Sequence, residues 1–345
     1  MALDEGLCVL PCILPTPRYL AQHMPRFDLH SIDDSRLIDY RDVKDRQLAG
    51  DFTRDLARSS DTNTDTTTTA VPPAPSKFMA EGESVVGILI RSAYPVLSVL
   101  CARQRLTAMA GHLAALEAAA PHVPIYIVDS ALIEPLIGFP MHRGVMAIGQ
   151  RTNPSPAPAP TDAPHADAHR VIALATPARP LIILEDIFNH DNIGGMFRNA
   201  AAFGAAGILL TARCSDPLYR KAIRVSMGHA LRVPFAFLPD LPPVPNQPAP
   251  PASWLPLLHD AGIQTVAMTP RQPTGTTDLE VLAAAQRAAP RRVAILIGSE
   301  GPGLSAQAIA GATHRVSIAM APGTDSLNAY VAGAVALHRL AMPEA

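Results

Sequence analysis

Apolar positions recur along this chain in two rhythms, and the second half carries the clearer one. Short unbroken apolar runs occupy residues 181–186 (LIILED), 207–211 (GILLT), 263–269 (IQTVAMT), 292–298 (RVAILIG) and 314–320 (HRVSIAM). Strands buried on both faces need no polar alternation, so these runs predict a mostly parallel sheet. Alanine-rich stretches with helical spacing alternate with them, one opening near residue 193 and another, AYVAGAVALHRLA, near the C-terminus. Strand and helix in alternation is the α/β pattern, which covers both faces of the sheet with helices.

A smaller α/β unit precedes it. KFMAEG reads as a strand and turn, ESVVGILIRS as a helix and VLSVLCA as a buried strand. RLTAMAGHLAALEAAA is a helix with Leu106, Met109, Leu113 and Leu116 on one face, and VPIYIVD is the next strand. A helix capped by Ser130 and a last strand, GVMAIGQ, complete the unit. Low-complexity segments set the boundaries. Residues 1–34 read as an N-terminal extension, with residues 1–23 lying upstream of a plausible start at Met24. Residues 35–150 form the first domain, with a polar, proline-rich insertion near 55–76. A Pro/Ala spacer over 151–170 leads to a second domain, 171–345, itself interrupted by a proline cluster at 239–253.

Composition changes this picture little. Charged residues are 17% and hydrophobic ones 48% of 345, which fits a folded domain pair and excludes a disordered chain. The net charge of −2 advertises no global field for nucleic acid, although a local basic face stays open. Cys8, Cys12, Cys101 and Cys214 have no companion pair at metal spacing, so reduced thiols, no metal and a cytoplasmic setting are expected. The apolar stretch 7–15 follows Asp4 and Glu5, contains two prolines and is too short to span a membrane.

Three polar segments, each following a strand of the second domain, carry candidate chemistry. In NHDNIGGMFRNAAAFGA (189–205), Asn192 is a good N-cap, and Arg198 lies six residues beyond it in a mostly apolar helix. That arginine is either a solvated side chain or a buried one that needs an anionic partner. LIGSEGPGLS (296–305) places Gly298, Gly301 and Gly303 around Glu300, with Ser305 poised to cap a helix. It is either a tight strand-to-helix turn or a loop offering backbone N–H groups; it is neither a P-loop nor a dinucleotide fingerprint. SIAMAPGTDSLNAYVAGAVAL (317–337) carries Ser326 and Asn328 ahead of a small-residue helix, and Ser326 alone could be a simple N-cap. Loops at the carboxyl ends of parallel strands can converge on one site.

Taken together, the order Asn…Arg, Gly-x-Glu-Gly and Ser-Leu-Asn over about residues 171 to 342 resembles the SpoU (TrmH) family of SPOUT RNA ribose 2′-O-methyltransferases. DPLYRKAIRVSMGHALRVPF (216–235) is similar to that family, while AEGESVV and FPMHRGVMAIG resemble its accessory substrate-binding domain of ribosomal-protein type. The resemblance implies a C-terminal trefoil knot that binds S-adenosylmethionine, with backbone contacts at Gly298, Ile318 and Leu327 and a homodimer completing the site. It carries Asn192, Arg198, Glu300, Ser326 and Asn328 over as the catalytic set, with Ser326 also shaping the donor pocket. Departures are Gly195 and Asn199, where alanine and threonine are commoner, and Ala329-Tyr330, where Val-Ser is usual.

On this reading Arg198 grips the phosphate beside a target ribose and orients its 2′-hydroxyl, because an arginine side chain normally cannot act as a base. Glu300 and Asn328 orient the arginine and the ribose. Arg213, Arg220, Lys221, Arg224 and Arg232 could follow RNA phosphates or simply form a solvated face. His112, His142, His190, His229 and His314 are scattered, with no shared role expected. The expected substrate is structured RNA, ribosomal rather than transfer RNA. A non-catalytic RNA-binding protein of the same fold and a dinucleotide-dependent oxidoreductase are the competing readings; the latter lacks the glycine fingerprint.

Overall fold

The unbroken apolar runs become strands with both faces covered: Leu181, Ile182, Ile183 and Leu184 are all 0% exposed. The structure, a computed structural model, describes residues 24–41, 48, 76–138, 144–151, 166–238, 254–270 and 275–341. The extension before Met24, the insertion up to residue 75, most of the Pro/Ala spacer and the proline cluster at 239–253 lie outside the described residues.

Strands β1 (Arg26–Leu29), β2 (Lys77–Glu81), β3 (Val96–Ala102), β4 (Ile125–Val128) and β5 (Val145–Gln150) form the first sheet, in the order β1-β4-β3-β5-β2. Helices α1 (Glu83–Ile90) and α2 (Leu106–Ala119) pack on one face and α3 (Ser130–Ile137) on the other. Two sequence expectations shift here. β1 lies in the stretch read as an extension, yet it pairs in parallel with β4, Arg26 opposite Ile125 and Leu29 opposite Val128. Its four residues, RFDL, are too few to show a period. Ser130 does not cap α3: it is the first helical residue, behind Asp129 at the N-cap position.

The second sheet is parallel throughout. Its strands are β6 (Leu181–Glu185), β7 (Gly207–Leu210), β8 (Phe235–Phe237), β9 (Gln264–Met268), β10 (Thr276–Asp278), β11 (Val293–Gly298) and β12 (His314–Ser317). They lie in the order β10-β12-β9-β11-β6-β7-β8. β8 and β10 have three residues each, which is why no apolar run announced them. Helices α4 (Ala166–Ala173), α7 (Leu255–Asp260) and α9 (Ala306–Gly311) pack on one face. The other face carries α5 (His190–Ala202), α6 (Arg220–Val225), α8 (Leu279–Ala288) and α10 (Ala329–Leu340).

The order of strands fixes where a ligand can bind. After β6 the chain turns through α5 toward β7; after the adjacent β11 it turns through α9 toward β12, on the opposite side. The two connections leave on opposite sides, so the carboxyl edge between β6 and β11 is the topological switch point, where open α/β sheets bind their ligands. Asn192 follows β6 and Glu300 follows β11 at that edge.

The two sheets share one continuous apolar core through α1, α5 and α6. Beside it, Arg151 at the end of the first unit pairs with Asp216 of the second, each side chain only 8% exposed. Asp216 also accepts the Leu218 N–H at 2.8 Å. Removing one partner leaves a buried charge, so Arg151→Met is expected to cost about 3–5 kcal/mol in urea unfolding. Adding Asp216→Leu should recover most of that loss. A double variant as unstable as the single one would show that the pair itself is not the cause.

Candidate active site

Helix α5 begins earlier than its sequence suggests. Asn189 is the N-cap, its side chain accepting the Asp191 N–H at 2.8 Å, so the capping role expected of Asn192 is already filled. Asn192 sits in the first turn, 3% exposed, and its amide is free for other work. Its Nδ2 donates to Glu300 Oε1 at 2.9 Å. Asn328 Nδ2 donates to the same oxygen at 2.8 Å and to Asn192 Oδ1 at 3.0 Å. Asn328 is also the N-cap of α10, accepting the Tyr330 N–H at 3.0 Å. The three polar segments thus close into one hydrogen-bonded cluster across 136 residues of chain. Glu300 is exposed, and its Oε2 takes no hydrogen bond from the described residues, so that oxygen faces outward as an acceptor.

The loop that carries Glu300 is held at both ends. Gly298 closes β11 opposite Glu185, and Ser299 and Gly303 form a bridge just beyond it. Gly301 and Gly303 take φ values of 87° and 77°, the left-handed region where glycine carries no side-chain penalty. At the far end Ser305 caps α9, as the sequence suggested, accepting the Ala308 N–H at 3.1 Å. Buried Glu185 fastens Ser305 by accepting its N–H and its hydroxyl, both at 2.8 Å. The tight-turn reading and the ligand-loop reading of this segment are therefore compatible.

Beside this loop, a cleft runs across the carboxyl ends of β9 and β12. Ile318, Ser326 and Leu327 line it, together with Met268 at the end of β9 and Thr269 and Pro270 just beyond it. Ser326 is exposed and caps nothing, since Asn328 holds that position. Met268, Thr269 and Pro270 were missed in the sequence, where only their place at the end of an apolar run could have marked them. Gly298 ends the neighbouring strand, one step along the sheet from β9.

All four residues that depart from the family pattern fall in the α5–α10 contact or at its edge. A Cβ on Gly195 would lie 2.7 Å from Cγ of the Tyr330 ring, and Asn199 Nδ2 donates to the Tyr330 carbonyl at 2.7 Å. Gly333 leaves similar room for Met196, whose Sδ would lie 2.6 Å from an added Cβ. The missing methyl at 195 makes space for the larger ring at 330, two changes that compensate each other. Gly195→Ala is expected to cost about 1–3 kcal/mol by overpacking. Adding Tyr330→Ser should return most of that; equal instability of single and double variants in thermal unfolding would refute the pairing.

Arg198 is exposed, one and a half turns beyond Asn192, and pairs with no carboxylate among the described residues. Of the two readings open in the sequence, the solvated one holds, because the apolar side of α5 turns inward to Ile193, Met196, Phe197 and Ala200. Other basic residues are engaged: Lys221 pairs with Asp191 at 2.7 Å, Arg213 with Asp186 at 3.4 Å and Arg224 with Glu81 at 3.8 Å. Arg232 is exposed and, among the described residues, has no carboxylate partner. It lies with Arg198 near half-buried His229, whose pKa falls below its ordinary value through burial first, then Arg232, then Arg198. Two guanidinium groups that both lower the pKa of one histidine mark a local positive field. His229 and Arg232 are three residues apart, but nothing local shows that Arg198 of α5 lies near them.

A parallel α/β domain, an Asn–Glu–Asn cluster at its switch point and a cleft beside it define an enzyme-like ligand site on a doubly covered sheet. Residues 179–338 match the SpoU rRNA Methylase family. The chain is 34% identical, over 92% of its length and 93% of the relative's, to an uncharacterized tRNA/rRNA methyltransferase of Mycobacterium bovis. It belongs to the SpoU rRNA methylase family. Among solved structures it is similar to the AdoMet-bound rRNA methyltransferase from Sinorhizobium meliloti, with a TM-score of 0.64 and 20% identity over 91% of this chain and 97% of that one. An RNA 2′-O ribose methyltransferase gives 0.61 and 18% over 91% and 98%. Among the described residues no helix is long and apolar enough to cross a membrane.

Proposed function

We propose that this protein methylates a ribose 2′-hydroxyl of structured RNA, ribosomal rather than transfer RNA, with S-adenosylmethionine as donor. The observation that carries the proposal is the Asn192–Glu300–Asn328 cluster, with one carboxylate oxygen open, together with an exposed arginine on the Asn192 helix that has no carboxylate partner among the described residues. Support for the donor comes from the cleft, whose apolar walls suit a flat base and whose exposed Ser326 suits a polar tail. The AdoMet-bound relative of the same fold supports it too. Ile318, Leu327, Met268 and the end of β11 at Gly298 would hold it, within a threaded C-terminal segment.

When bound, that donor supplies a sulfonium methyl carbon to which the ribose oxygen bonds as the carbon–sulfur bond breaks, its electron pair staying on sulfur. Arg198 holds the phosphate beside the ribose by charge-assisted hydrogen bonds, reinforced by the field of Arg232. The open Oε2 of Glu300 accepts from a ribose hydroxyl and fixes the sugar, while Asn192 and Asn328 hold that carboxylate in place. The 2′-proton leaves through the phosphate that Arg198 grips or through a transiently neutral guanidine of Arg198 itself. Positioning of this kind supplies much of the acceleration in such a reaction. A second copy of the chain would complete the site on the side where Arg198 is open to solvent.

The test is transfer of a labelled methyl group to total unmodified bacterial RNA and to isolated ribosomal subunits, followed by nuclease digestion and nucleoside separation. Label should appear in 2′-O-methyl nucleosides of ribosomal RNA. Label on a base, or in transfer RNA alone, would overturn the proposed specificity. Binding of RNA with no label in any fraction would favour a non-catalytic RNA-binding protein.

A further inference from the structure

Phe188 is the one aromatic among the large exposed hydrophobic side chains of the described residues, 55% open to solvent. It lies in the loop after β6, at the carboxyl edge of the sheet and four residues ahead of Asn192. The loop is not loose. Asp186 is held at a φ of 56°, in the left-handed region, with its N–H donating to Thr211 Oγ1 and its Oδ1 accepting from the same hydroxyl, both at 3.0 Å. Ile187 donates to Cys214 Sγ at 3.3 Å and accepts the Ser215 N–H at 2.8 Å, while the Ser215 hydroxyl donates to the Phe188 carbonyl. Strain fixed by this many bonds next to a site is a mark of function rather than of slack.

Arg213 stands over the exposed ring, its guanidinium carbon 5.6 Å from the centroid and its side chain 73% open. Asp186 holds it there at 3.4 Å. A fixed aromatic face with a planar cation beside it matches what a single-stranded nucleic acid uses: a base stacks on the ring and a phosphate meets the guanidinium. A dry subunit contact suits this pair poorly, because charged groups are depleted from such cores.

We propose that Phe188 and Arg213 form a stacking subsite for one unpaired RNA base next to the reacting ribose. The inference rests on the RNA reading above and adds a residue pair that reads the substrate's base. Phe188 is at none of the named positions of the three polar segments, and precedes the first segment by one residue.

The experiment titrates the full-length protein with a short fluorescein-labelled single-stranded oligoadenylate RNA by anisotropy, and assays methyl transfer to total bacterial RNA in parallel. Phe188→Ala is expected to weaken binding about tenfold, the range of one lost base stack, with unchanged thermal midpoint and S-adenosylmethionine affinity. Phe188→Leu should be as weak as alanine, because it keeps bulk but has no π face, whereas Phe188→Tyr should bind like wild type. Arg213→Ala should weaken binding and flatten its salt dependence by roughly one phosphate contact. The subsite is rejected, and the RNA reading kept, if wild type methylates RNA while Phe188→Ala binds the oligonucleotide as tightly. It is rejected too if wild type methylates but does not bind the oligonucleotide, or if Phe188→Ala changes only the sedimenting mass, which would mark a subunit contact. If wild type neither binds nor methylates any RNA, the RNA reading itself falls, and the subsite with it.

Discussion

Arg198→Ala is expected to lower methyl transfer by about 10²- to 10³-fold, the usual effect of removing one aimed donor from a reacting centre. The same variant should fold as wild type does, within about 0.5 kcal/mol, because the side chain is exposed and, among the described residues, has no carboxylate partner whose charge its loss would strand. Affinity for S-adenosylmethionine should also be unchanged, since the cleft of Ile318, Ser326 and Leu327 is built from other elements. The three readouts separate explanations. Lost turnover with intact folding and donor binding places Arg198 at the RNA phosphate. Normal turnover removes it from the mechanism, and lost donor affinity assigns it to the wrong ligand. Arg198→Lys is an informative companion: it keeps the charge but not the planar fork, so partial activity would favour simple charge and near-complete loss would favour two-point recognition.

Gly298→Ala should be the most damaging small substitution in the chain. An added Cβ would lie 2.1 Å from the Leu304 nitrogen and 2.5 Å from the Gly303 oxygen, both backbone atoms. A flexible side chain could swing away from such an overlap, but this loop cannot. Its near end is the bridge from Ser299 to Gly303, and its far end is Ser305, tied to buried Glu185 by two hydrogen bonds of 2.8 Å. The expected loss is about 3 kcal/mol, the upper end of ordinary overpacking, and any protein that folds should have Glu300 displaced from Asn192 and Asn328. Gly301→Ala is the control. That residue has open space around it and only its φ of 87° to strain, so about 1–2 kcal/mol is expected. Urea unfolding of both variants checks the difference; equal losses would mean that backbone angle, not contact, governs the loop.

The sequence was sufficient for the class of fold and for the neighbourhood of the site. Runs such as LIILED and RVAILIG have no polar alternation and are too short for ordinary helices, which suits strands covered on both faces, so a parallel sheet with two helical layers follows from local pattern. The three polar segments each follow such a run, which places them at one edge before any contact is known. Family resemblance then picked out Asn192, Glu300 and Asn328, and they do meet. The individual roles were less legible. Asn192 has the right chemistry for a cap, but the cap is Asn189, and nothing local reveals that the Asn192 amide turns to a carboxylate 108 residues away.

Burial followed the same rule. Arg198 has apolar neighbours in sequence, yet helical geometry sends them to one side and the guanidinium to the other. Lys221, Arg213 and Arg224 look like one basic stripe as text, but each finds a carboxylate contributed by a different element, whereas Arg198 and Arg232 have no carboxylate partner among the described residues. β1 is fixed by its partner β4 and not by its own four residues. Local periodicity thus determined which segments are strands and helices, because it reflects which faces must leave water. The tertiary structure alone decided which side chains meet, which charges are paired and which aromatic stays exposed, because those outcomes depend on directions and distances between segments that periodicity does not encode.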